Sequence, residues 1–522
     1  MNKKLQVWLP LLLSLSMIVG MLLGYHMRDN MPGKKFFSLD KTQPLQEVID
    51  LINNRYVDDV TGKALADTAI QAILDHLDPH SVYISPDQLE GINEEVAGKF
   101  YGIGVEFDFI NDTFNVLNVL PDGPSAKAGI EPGDQFIKVN DSSFTGKEIN
   151  STRIRKILRG ELGSAVKVAL LRNGLPKTIT IERGIIPLSS IDAAYMIDSS
   201  TGFIRLSRFT QATYREFMLS LEKLQKQGLK KLILDLRDNG GGVLDEATAI
   251  ADEFLDGDKL ITYTEGKHFP KKEYRCKKPG LFETGQLVVL TDEGSASASE
   301  ILIGALQDWD RGTIIGRRSF GKGLVQEQYD LSDGSALRLT VARYYTPLGR
   351  SIQRPYQSGE KAYYNDIHNR LTNGEMTQLG NNAKADTGKV YQSPKGKKLY
   401  GGGGIQPDVH VPLDTQFIHT NMEIPMQFAL SYFKTNRTAL KAYPNAQAFN
   451  QQFQFSESDY LAIAASLKQS NPNLVWQDAA TKKWVIQHFK AAIARMVWRN
   501  EGYFTVTNSS DQTIQVALQA LK

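Results

Sequence analysis

The sequence predicts a multidomain α/β protein, with an α/β core lying between helical segments at both ends. Strands and helices alternate from residue 201 to residue 345, the pattern of a layered α/β structure. Ahead of this core, residues 99–183 carry short strands and hairpin turns, whereas residues 42–77 and the chain from Met422 onward show helical periodicity. A length of 522 residues fits three or four domains at about 150 residues each.

Composition places the chain among ordinary globular proteins. Apolar residues make up 41% and charged residues 23%, and the formal net charge is +2, so bulk electrostatics do not favour binding to nucleic acid. Cys276 is the single cysteine, which excludes an internal disulfide framework. No cluster of His, Asp or Glu with ligand spacing lies beside the serine motif described below, so we expect no metal and no cofactor.

The first 30 residues differ from the rest of the chain. An uncharged, mostly apolar stretch from Leu5 to Tyr25 follows two lysines and, as a helix, is just long enough to span a hydrocarbon core of about 30 Å. No small-x-small cleavage site follows it, which favours an uncleaved signal anchor over a cleaved signal peptide. Residues 1–30 are therefore predicted as a transmembrane signal anchor, although basic residues on its far side weaken the orientation signal.

An N-terminal helical segment is predicted over residues 36–90. Apolar residues recur there at helical spacing in two stripes, and Asp78-Pro79 ends the second one. His76 and His80 are four residues apart, but the intervening proline breaks the helix that would place both on one face. A structural histidine is therefore favoured over a metal pair.

Residues 91–184 are predicted as a separate domain of strands and short helices. Val105, Phe107 and Phe109 alternate with acidic residues as in a half-buried strand. Asn173-Gly174 is a strong hairpin turn between two further strands.

The α/β core is predicted over residues 185–413, and a C-terminal helical region over residues 414–522. Within the core, residues 356–404 are polar, weakly periodic and rich in glycine at their end, and are predicted as a surface excursion.

Three segments of the core suggest chemistry, and the first runs from Thr291 to Glu300 between a buried strand and a helix. Its small residues let a substrate backbone approach closely, and the helix start offers free N–H groups and a positive dipole end to an oxyanion. A serine hydroxyl in this segment is well placed as a nucleophile. Equally, its serines and alanines could simply cap and pack the helix.

The second segment runs from Gly316 to Gln326. A serine nucleophile needs a base, no histidine lies nearby in the sequence, and a neutral lysine can serve. Apolar neighbours surround Lys322, and desolvation by them would lower its pKa. Gln326 could accept a hydrogen bond from the amine and orient it. Without the serine segment, a surface lysine in a glycine turn would be the better interpretation.

The third segment places three glycines, Gly240 to Gly242, after a predicted strand. Their amides suit an oxyanion hole, although a plain strand-to-helix turn would need only one glycine. A competing interpretation comes from the spacing of Gly316, Gly321 and Lys322, which approximates a nucleotide-binding P-loop. A P-loop-like nucleotide-binding protein is the lesser alternative, because the residue after the lysine is Gly323 rather than Ser or Thr.

Taken together, residues 45–413 resemble the carboxy-terminal processing peptidases, also called tail-specific proteases. Several long motifs carry the resemblance in one order, at residues 77–81, 235–242, 294–300, 321–326 and 404–408. The resemblance implies a serine endopeptidase whose catalytic residues are Ser297, Lys322 and Gln326. It also implies oxyanion donors at the N–H groups of Ala298 and of Gly241 or Gly242, and a structural role for Asp308.

Residues 91–184 resemble the PDZ domain that these proteases carry. Residues 128–134 before an apolar strand form its most specific stretch, and Tyr101 to Gly104 occupies the position of the carboxylate-binding loop. Gly102, Ile103 and Gly104 are therefore predicted to bind substrate through backbone amides. The expected partners are proteins or peptides with free C-terminal tails.

The resemblance further implies a bacterial cell membrane, a single N-terminal anchor and a catalytic body on the periplasmic or extracytoplasmic side. The C-terminal region carries no assignable motif and is a candidate surface for homo-oligomerisation or a partner. A catalytically inactive PDZ scaffold is the alternative from a different functional class, and the intact Ser297, Lys322 and Gln326 count against it.

Overall fold

The computed structural model describes residues 8, 13–22, 44–110, 112–140, 142–146, 151–378, 389–417, 420, 423–470 and 478–522. The chain forms two compact units, Met1–Leu74 and Asp75–Lys522. In the first unit, the predicted helical periodicity corresponds to two helices, Pro44–Arg55 and Gly62–Leu74. No residue of the first helix is fully buried: Leu45 and Val48 of its apolar stripe are exposed, and Ile49 and Ile52 are partly buried.

Of the predicted anchor, Leu5 to Tyr25, the structure describes residue 8 and residues 13–22, which are helical, and the rest of the stretch lies outside the described residues. Within the part of the chain that is described, no helix has both the length and the apolar character needed to cross a bilayer.

The second unit begins with a strand, a helix and a PDZ-type sheet. Strand Val82–Ile84 and helix Pro86–Ala97 come first, and strand Lys99–Gly102 then pairs with Gly184–Pro187. Between them lies a six-stranded antiparallel sheet with two short helices: Val105–Ile110, Thr113–Val119, Pro124–Lys127, Gln135–Val139, Ser142–Ser143, Ser151–Leu158, Ala165–Arg172 and Leu175–Glu182. Phe114 and Phe136 stack at its centre, and Val105–Ile110 is an edge strand.

A mixed six-stranded sheet forms the centre of the predicted α/β core. Its strands, in spatial order, are Ile191–Met196, Thr201–Leu206, Lys231–Asp235, Gln286–Thr291, Thr313–Gly316 and Val409–His410. The first pair is antiparallel and the rest are parallel. Both faces are covered, which explains why the central strands read as continuous apolar runs.

The two faces of this sheet pack against different elements. Leu232 and Leu234 point toward helices Thr213–Lys226, Leu244–Asp252 and Ala298–Asp308, whereas Ile233 packs on the other face against the last helix, Gln512–Ala520. The carboxyl ends of the parallel strands share one edge of this sheet. The loops that follow them can bring polar groups together there.

A second, antiparallel sheet stands beside the first. It joins Val82–Ile84, Ala336–Tyr345, Leu260–Glu265 and Lys272–Arg275 in that order, and Leu324–Asp330 also pairs with Ala336–Tyr345. Strands Leu324–Asp330 and Ala336–Tyr345 form a hairpin, which begins two residues after Lys322.

The polar residues 356–404 contain more structure than their composition predicts. They include helix Glu360–Thr372 and the hairpin strands Val390–Gln392 and Lys398–Tyr400. Arg370 of that helix is 1% exposed, and its guanidinium donates a hydrogen bond to the carbonyl of Ser319 at 2.8 Å. The prediction of a surface excursion was wrong here, because a buried arginine satisfied by backbone carbonyls looks like a surface residue in the sequence.

The C-terminal region is helical, as predicted. Its helices are Glu423–Lys441, Ala446–Gln452, Glu457–Ser470, Ala479–Thr507 and Gln512–Ala520. Their apolar cluster includes Ile110 and Leu117 of the PDZ-type sheet, and the Tyr195 hydroxyl of the core sheet donates to the carbonyl of Phe504. The region therefore contacts both the PDZ-type domain and the core.

Candidate active site

The residue that begins the helix Ala298–Asp308 has an unusual backbone. Ser297 adopts φ 55° and ψ −113°, a conformation that costs a non-glycine residue on the order of 1–3 kcal/mol. Its N–H donates to Glu300 Oε2 at 2.9 Å, and its carbonyl accepts from the Tyr344 hydroxyl at 3.0 Å. The backbone N–H and the backbone carbonyl of Ser297 are thus both hydrogen-bonded. Its side chain lines a cleft of about 780 Å³.

The two neighbouring serines have different surroundings. Ser295 and Ser299 are fully buried, and their hydroxyls donate to the carbonyls of Leu236 and Asn239, each at 2.8 Å. Both hydroxyls thereby tie the turn that carries Ser297 to the loop that follows strand Lys231–Asp235. Of the three serines, Ser297 is the one that lines the cleft.

That loop, residues 238–242, brings glycines against the serine turn. Asn239 is fully buried and its side-chain oxygen accepts the N–H of Gly241 at 2.9 Å. A Cβ on Gly241 would lie 2.8 Å from the amide nitrogen of Ala298, so glycine is required there. Among the described residues, the N–H groups of Gly242 and Ala298 have no hydrogen-bond acceptor, whereas that of Gly241 is engaged.

Lys322 lies on the opposite wall of the cleft. Burial lowers the pKa of its ammonium group to about 8, the positive charge of Arg338 acts in the same direction, and Glu300 and Asp78 oppose both. Its N–H donates to Glu300 Oε2 at 2.8 Å, and its carbonyl accepts from the Tyr344 hydroxyl at 2.5 Å. The lysine is therefore held at its backbone while its side chain faces the cleft.

Glu300 is a site residue to which the sequence analysis assigned no role. It is fully buried, and its carboxylate accepts four hydrogen bonds, from the N–H groups of Ser297, Gly321 and Lys322 and the hydroxyl of Ser319. Burial raises its pKa to about 7, although these donors act to lower it. The spacing of Ser297 and Glu300 is that of a capping box, which was the signal available in the sequence.

Gln326 lines the same cleft but does not orient the lysine in this structure. Its side-chain amide donates to Thr340 Oγ1 at 3.2 Å, and that hydroxyl donates to Asp78 Oδ1 at 3.0 Å. Among the described residues, no hydrogen bond joins Gln326 to Lys322, or the Ser297 hydroxyl to the Lys322 ammonium. The structure thus places Ser297, Lys322 and Gln326 in one cleft. In the described part of the chain, Lys322 is hydrogen-bonded to neither of the other two side chains.

His80 lies in an aromatic cluster near the lysine. Its Nε2 is 2.8 Å from the Tyr363 hydroxyl, and its ring is 6.4 Å from that of Phe320. Burial and then the charge of Lys322 lower its pKa to about 4, so the imidazole is neutral at physiological pH.

Asp308 supports the helix from its far end. Its carboxylate forms a buried ion pair with Arg350 at 2.5 Å and accepts the N–H of Leu348 at 2.9 Å. These contacts join the helix to the turn after strand Ala336–Tyr345, outside the cleft.

The predicted carboxylate-binding loop lies at the start of the PDZ-type edge strand. Ile103 is buried and its carbonyl accepts the N–H of Ser125 at 3.0 Å. Gly104 has φ +73°, and a Cβ there would lie 3.0 Å from the side chain of Ile186. Gly102 ends the preceding strand. The loop therefore directly precedes the edge strand Val105–Ile110.

Several family models match the chain. The model of peptidase family S41 matches residues 200–358, and that of the PDZ domain matches residues 102–182. The model of the activating protease CtpB N-terminal domain matches residues 26–88, and a family of unknown function matches residues 420–499.

Named relatives match over longer spans. The carboxy-terminal-processing protease of Bartonella bacilliformis is 34% identical over 313 residues, 59% of this chain and 71% of the relative. A probable CtpA-like serine protease of Staphylococcus epidermidis is 33% identical over 346 residues, 66% of this chain and 69% of the relative. The solved structure of a photosystem II D1 C-terminal processing protease is 25% identical, with a TM-score of 0.36 over 70% of this chain and 92% of that one.

Proposed function

Since the chain belongs to peptidase family S41 and is a carboxy-terminal-processing serine protease with a PDZ domain, we propose that Ser297 is its nucleophile and Lys322 its general base. The observation that carries the proposal is the cleft itself. A strained serine stands at a helix start beside two unengaged N–H groups, and a lysine with a lowered pKa lines the same space. This is the arrangement that activates a hydroxyl and stabilises an oxyanion.

The reaction follows from these positions. The Ser297 oxygen attacks the peptide carbonyl while its proton passes to the neutral Lys322 amine. The N–H groups of Ala298 and Gly242 bind the oxyanion of the tetrahedral intermediate, a role that Gly241 fills less well because its N–H is already donated to Asn239. The lysine then protonates the leaving amine, the acyl-enzyme forms, and a water molecule activated by the same lysine releases the product acid.

The amine must approach the hydroxyl before this transfer can occur. General-base catalysis needs a heavy-atom separation of about 2.6–3.2 Å, and such contacts often tighten only in the substrate complex. Rotation of the Lys322 side chain supplies the movement without disturbing its backbone hydrogen bonds. We assign Gln326 the task of accepting a hydrogen bond from the amine in that state, after it exchanges its contact with Thr340.

The PDZ domain is proposed to select substrates by their C-terminal carboxylate. The amides of residues 102–104 would receive the carboxylate, and the tail would pair with edge strand Val105–Ile110. Comparison of free-acid and amidated forms of one peptide tests this. Equal rates for the two forms would contradict it.

We further propose that residues 5–25 anchor the protein in a bacterial membrane with the catalytic body on the extracytoplasmic side. The uncharged, apolar sequence of this stretch supports the proposal. Retention of the full chain in membranes after alkaline carbonate extraction, and its release on deletion of residues 1–30, is the expected result. Quantitative extraction of the full chain would contradict it.

The central experiment is degradation of β-casein by the purified full-length protein. We expect cleavage that is lost when Ser297 is replaced by alanine. A folded wild-type protein without hydrolytic activity would instead favour the inactive scaffold. A P-loop-like nucleotide site is disfavoured because strand Leu324–Asp330, not a helix, follows the lysine.

A further inference from the structure

Arg338 is a partly buried arginine of the active-site cleft. Arg338 lies on strand Ala336–Tyr345 and faces Gln328 across the hairpin. Both side chains line the cleft that contains Ser297 and Lys322. In the part of the chain that is described, the Arg338 guanidinium makes neither an ion pair nor a hydrogen bond, although the residue is only partly exposed.

Three other arginines of this unit that are buried or partly buried form ion pairs with carboxylates. Arg205 contacts Asp235 at 2.9 Å, Arg317 contacts Glu293 at 2.7 Å, and Arg318 contacts Glu375 at 2.6 Å. Withdrawing a charge from water without a partner is unfavourable, and burial lowers the pKa of Arg338. An unpaired arginine in a cleft is therefore a position prepared for an anion that arrives with a ligand.

The charges around Arg338 favour an anionic ligand. Arg208 and Lys322 also line the cleft, and Glu95 is the sole carboxylate among its described lining residues. Glu95 acts on Arg338 from a distance without forming an ion pair within 4.0 Å. The cleft thus presents three cationic side chains and one anionic side chain.

The hairpin register places Arg338 one cleft-facing pair beyond Gln326, which lines the same cleft as Ser297 and Lys322. Gln326 pairs with Thr340, and the next cleft-facing pair is Gln328 with Arg338. Two residues of an antiparallel strand span about 7 Å, which is also the length of two residues of extended substrate. A substrate group that reaches Arg338 therefore lies within about three residues of the cleaved bond.

We propose that Arg338 is a specificity-determining residue that binds a carboxylate of the substrate beside the cleaved bond. The planar guanidinium matches a carboxylate through two parallel hydrogen bonds. The carboxylate is assigned to an Asp or Glu side chain of the substrate, since the PDZ domain is the proposed receptor for the chain terminus. This inference rests on the proposed function of Ser297 and Lys322.

The test begins with cleavage-site mapping on β-casein by the full-length protein, using mass spectrometry. We expect Asp or Glu to be enriched at one fixed position within three residues of the cleaved bond. Peptides that differ only by Glu or Gln at that position should then differ about tenfold or more in kcat/KM. Arg338→Gln should reduce this ratio to near one, Arg338→Lys should retain part of it, and Arg338→Glu should shift the preference toward Lys.

Arg343→Gln is the matched control. Arg343 is exposed on the same strand, is not among the described residues that line the cleft, and donates to the Tyr356 hydroxyl. Its removal should leave the Glu/Gln ratio unchanged. Because the ratio is measured at one pH with one enzyme, a general change in the basicity of Lys322 cancels from it.

The outcomes separate the possible failures. Cleavage without any acidic preference, or an acidic preference that survives Arg338→Gln, overturns the role of Arg338 but leaves the Ser–Lys protease intact. Cleavage confined to bonds within three residues of a free C-terminus, and lost on amidation, would assign Arg338 to the terminal carboxylate instead of a side chain. Absence of Ser297-dependent cleavage would overturn the proposed function itself.

Discussion

Glu300 and Tyr344 bind the backbones of the same two residues, Ser297 and Lys322, on their N–H and carbonyl sides. The Glu300 carboxylate accepts the N–H groups of Ser297 and Lys322, and the single hydroxyl hydrogen of Tyr344 is shared between their two carbonyls. Both holding residues are buried. The backbones of nucleophile and base are therefore fixed relative to each other, while their side chains remain able to move within the cleft.

Replacement of the three serines by alanine should separate chemistry from structure. Ser297→Ala should lower kcat by about 10⁴-fold or more, because it removes the nucleophile. Ser295→Ala and Ser299→Ala should each reduce the free energy of unfolding by about 0.5–1.5 kcal/mol, since each removes one buried hydrogen bond while the carbonyl keeps a backbone N–H donor. Peptide hydrolysis and denaturant titration measure the two effects. Near-normal turnover by Ser297→Ala would identify a different nucleophile.

The rate of hydrolysis should rise toward alkaline pH as Lys322 loses its proton, and this rise is the alkaline limb of the pH profile. Burial lowers its pKa to about 8, and the neutral amine is the active form, so the rate should rise as the pH increases through about 8 and fall in acid. At pH 7 roughly 10% of the lysine would be neutral, against about 0.04% for an unperturbed lysine. The measurement is kcat/KM from pH 6 to 9.

Lys322→Arg distinguishes a base from a positive charge. A guanidinium stays protonated throughout this pH range, so the variant should be as inactive as Lys322→Ala. Lys322→His should recover little, because the shorter side chain cannot reach the hydroxyl. Substantial hydrolysis by Lys322→Arg would assign proton transfer to another group.

Glu300→Gln tests the hydrogen bonds by which the Glu300 carboxylate joins the backbone at Ser297 to the backbone at Gly321 and Lys322. Each oxygen of the carboxylate accepts at least one backbone N–H, and a backbone N–H cannot become an acceptor. Whichever oxygen is replaced by an amide nitrogen, one connection is lost. We expect kcat to fall about 10–100-fold with little change in KM. Glu293→Gln, on the same turn but paired with Arg317, is the control.

The pH profile provides a second readout of Glu300. Since burial raises its pKa to about 7, acid protonates it below that pH and removes acceptor capacity from the same network. The acid limb of wild-type kcat should therefore be steeper than a single proton allows, and that of Glu300→Gln should have single-proton slope. Identical slopes would show that Glu300 does not contribute to the pH dependence.

Arg338→Gln should move the alkaline limb to higher pH. After burial, the positive charge of Arg338 is the next cause that lowers the pKa of Lys322, against the carboxylates Glu300 and Asp78; neutral His80 adds no charge. Loss of the charge should raise the lysine pKa, because the neutral amine is no longer favoured by a neighbouring cation. Arg338→Lys should leave the limb in place. A limb that stays fixed in both variants would mean that the arginine charge does not reach the amine.

Gly104→Ala should weaken recognition of substrate tails. The residue has φ +73°, and the added Cβ would lie 3.0 Å from the side chain of Ile186. We expect KM for free-acid peptides to rise about tenfold, with amidated peptides little affected. Gly174→Ala is the control, since Gly174 also has positive φ, at +79°, but has open space around it. Equal effects on both peptide forms would contradict a carboxylate-binding role.

The sequence by itself determined the features that depend on neighbouring residues. Strand–helix alternation predicted the α/β core because apolar periodicity reflects which face of each element is buried. The placement of Ser297 between a strand and a helix, and of three glycines after another strand, followed from local motifs. The family resemblance added the pairing of Ser297 with Lys322, which local pattern left open against a helix cap and a surface turn.

Tertiary structure decided the features that depend on partners distant in the sequence. Gln326 reaches Thr340, and Thr340 reaches Asp78 across 262 positions; no periodicity encodes such a contact. Arg370 and Glu300 are polar residues that burial makes structural, and Arg338 has no partner within the described part of the chain. Whether a charged side chain is solvated, paired or held ready for a ligand depends on what packs around it, and only the folded chain fixes those neighbours.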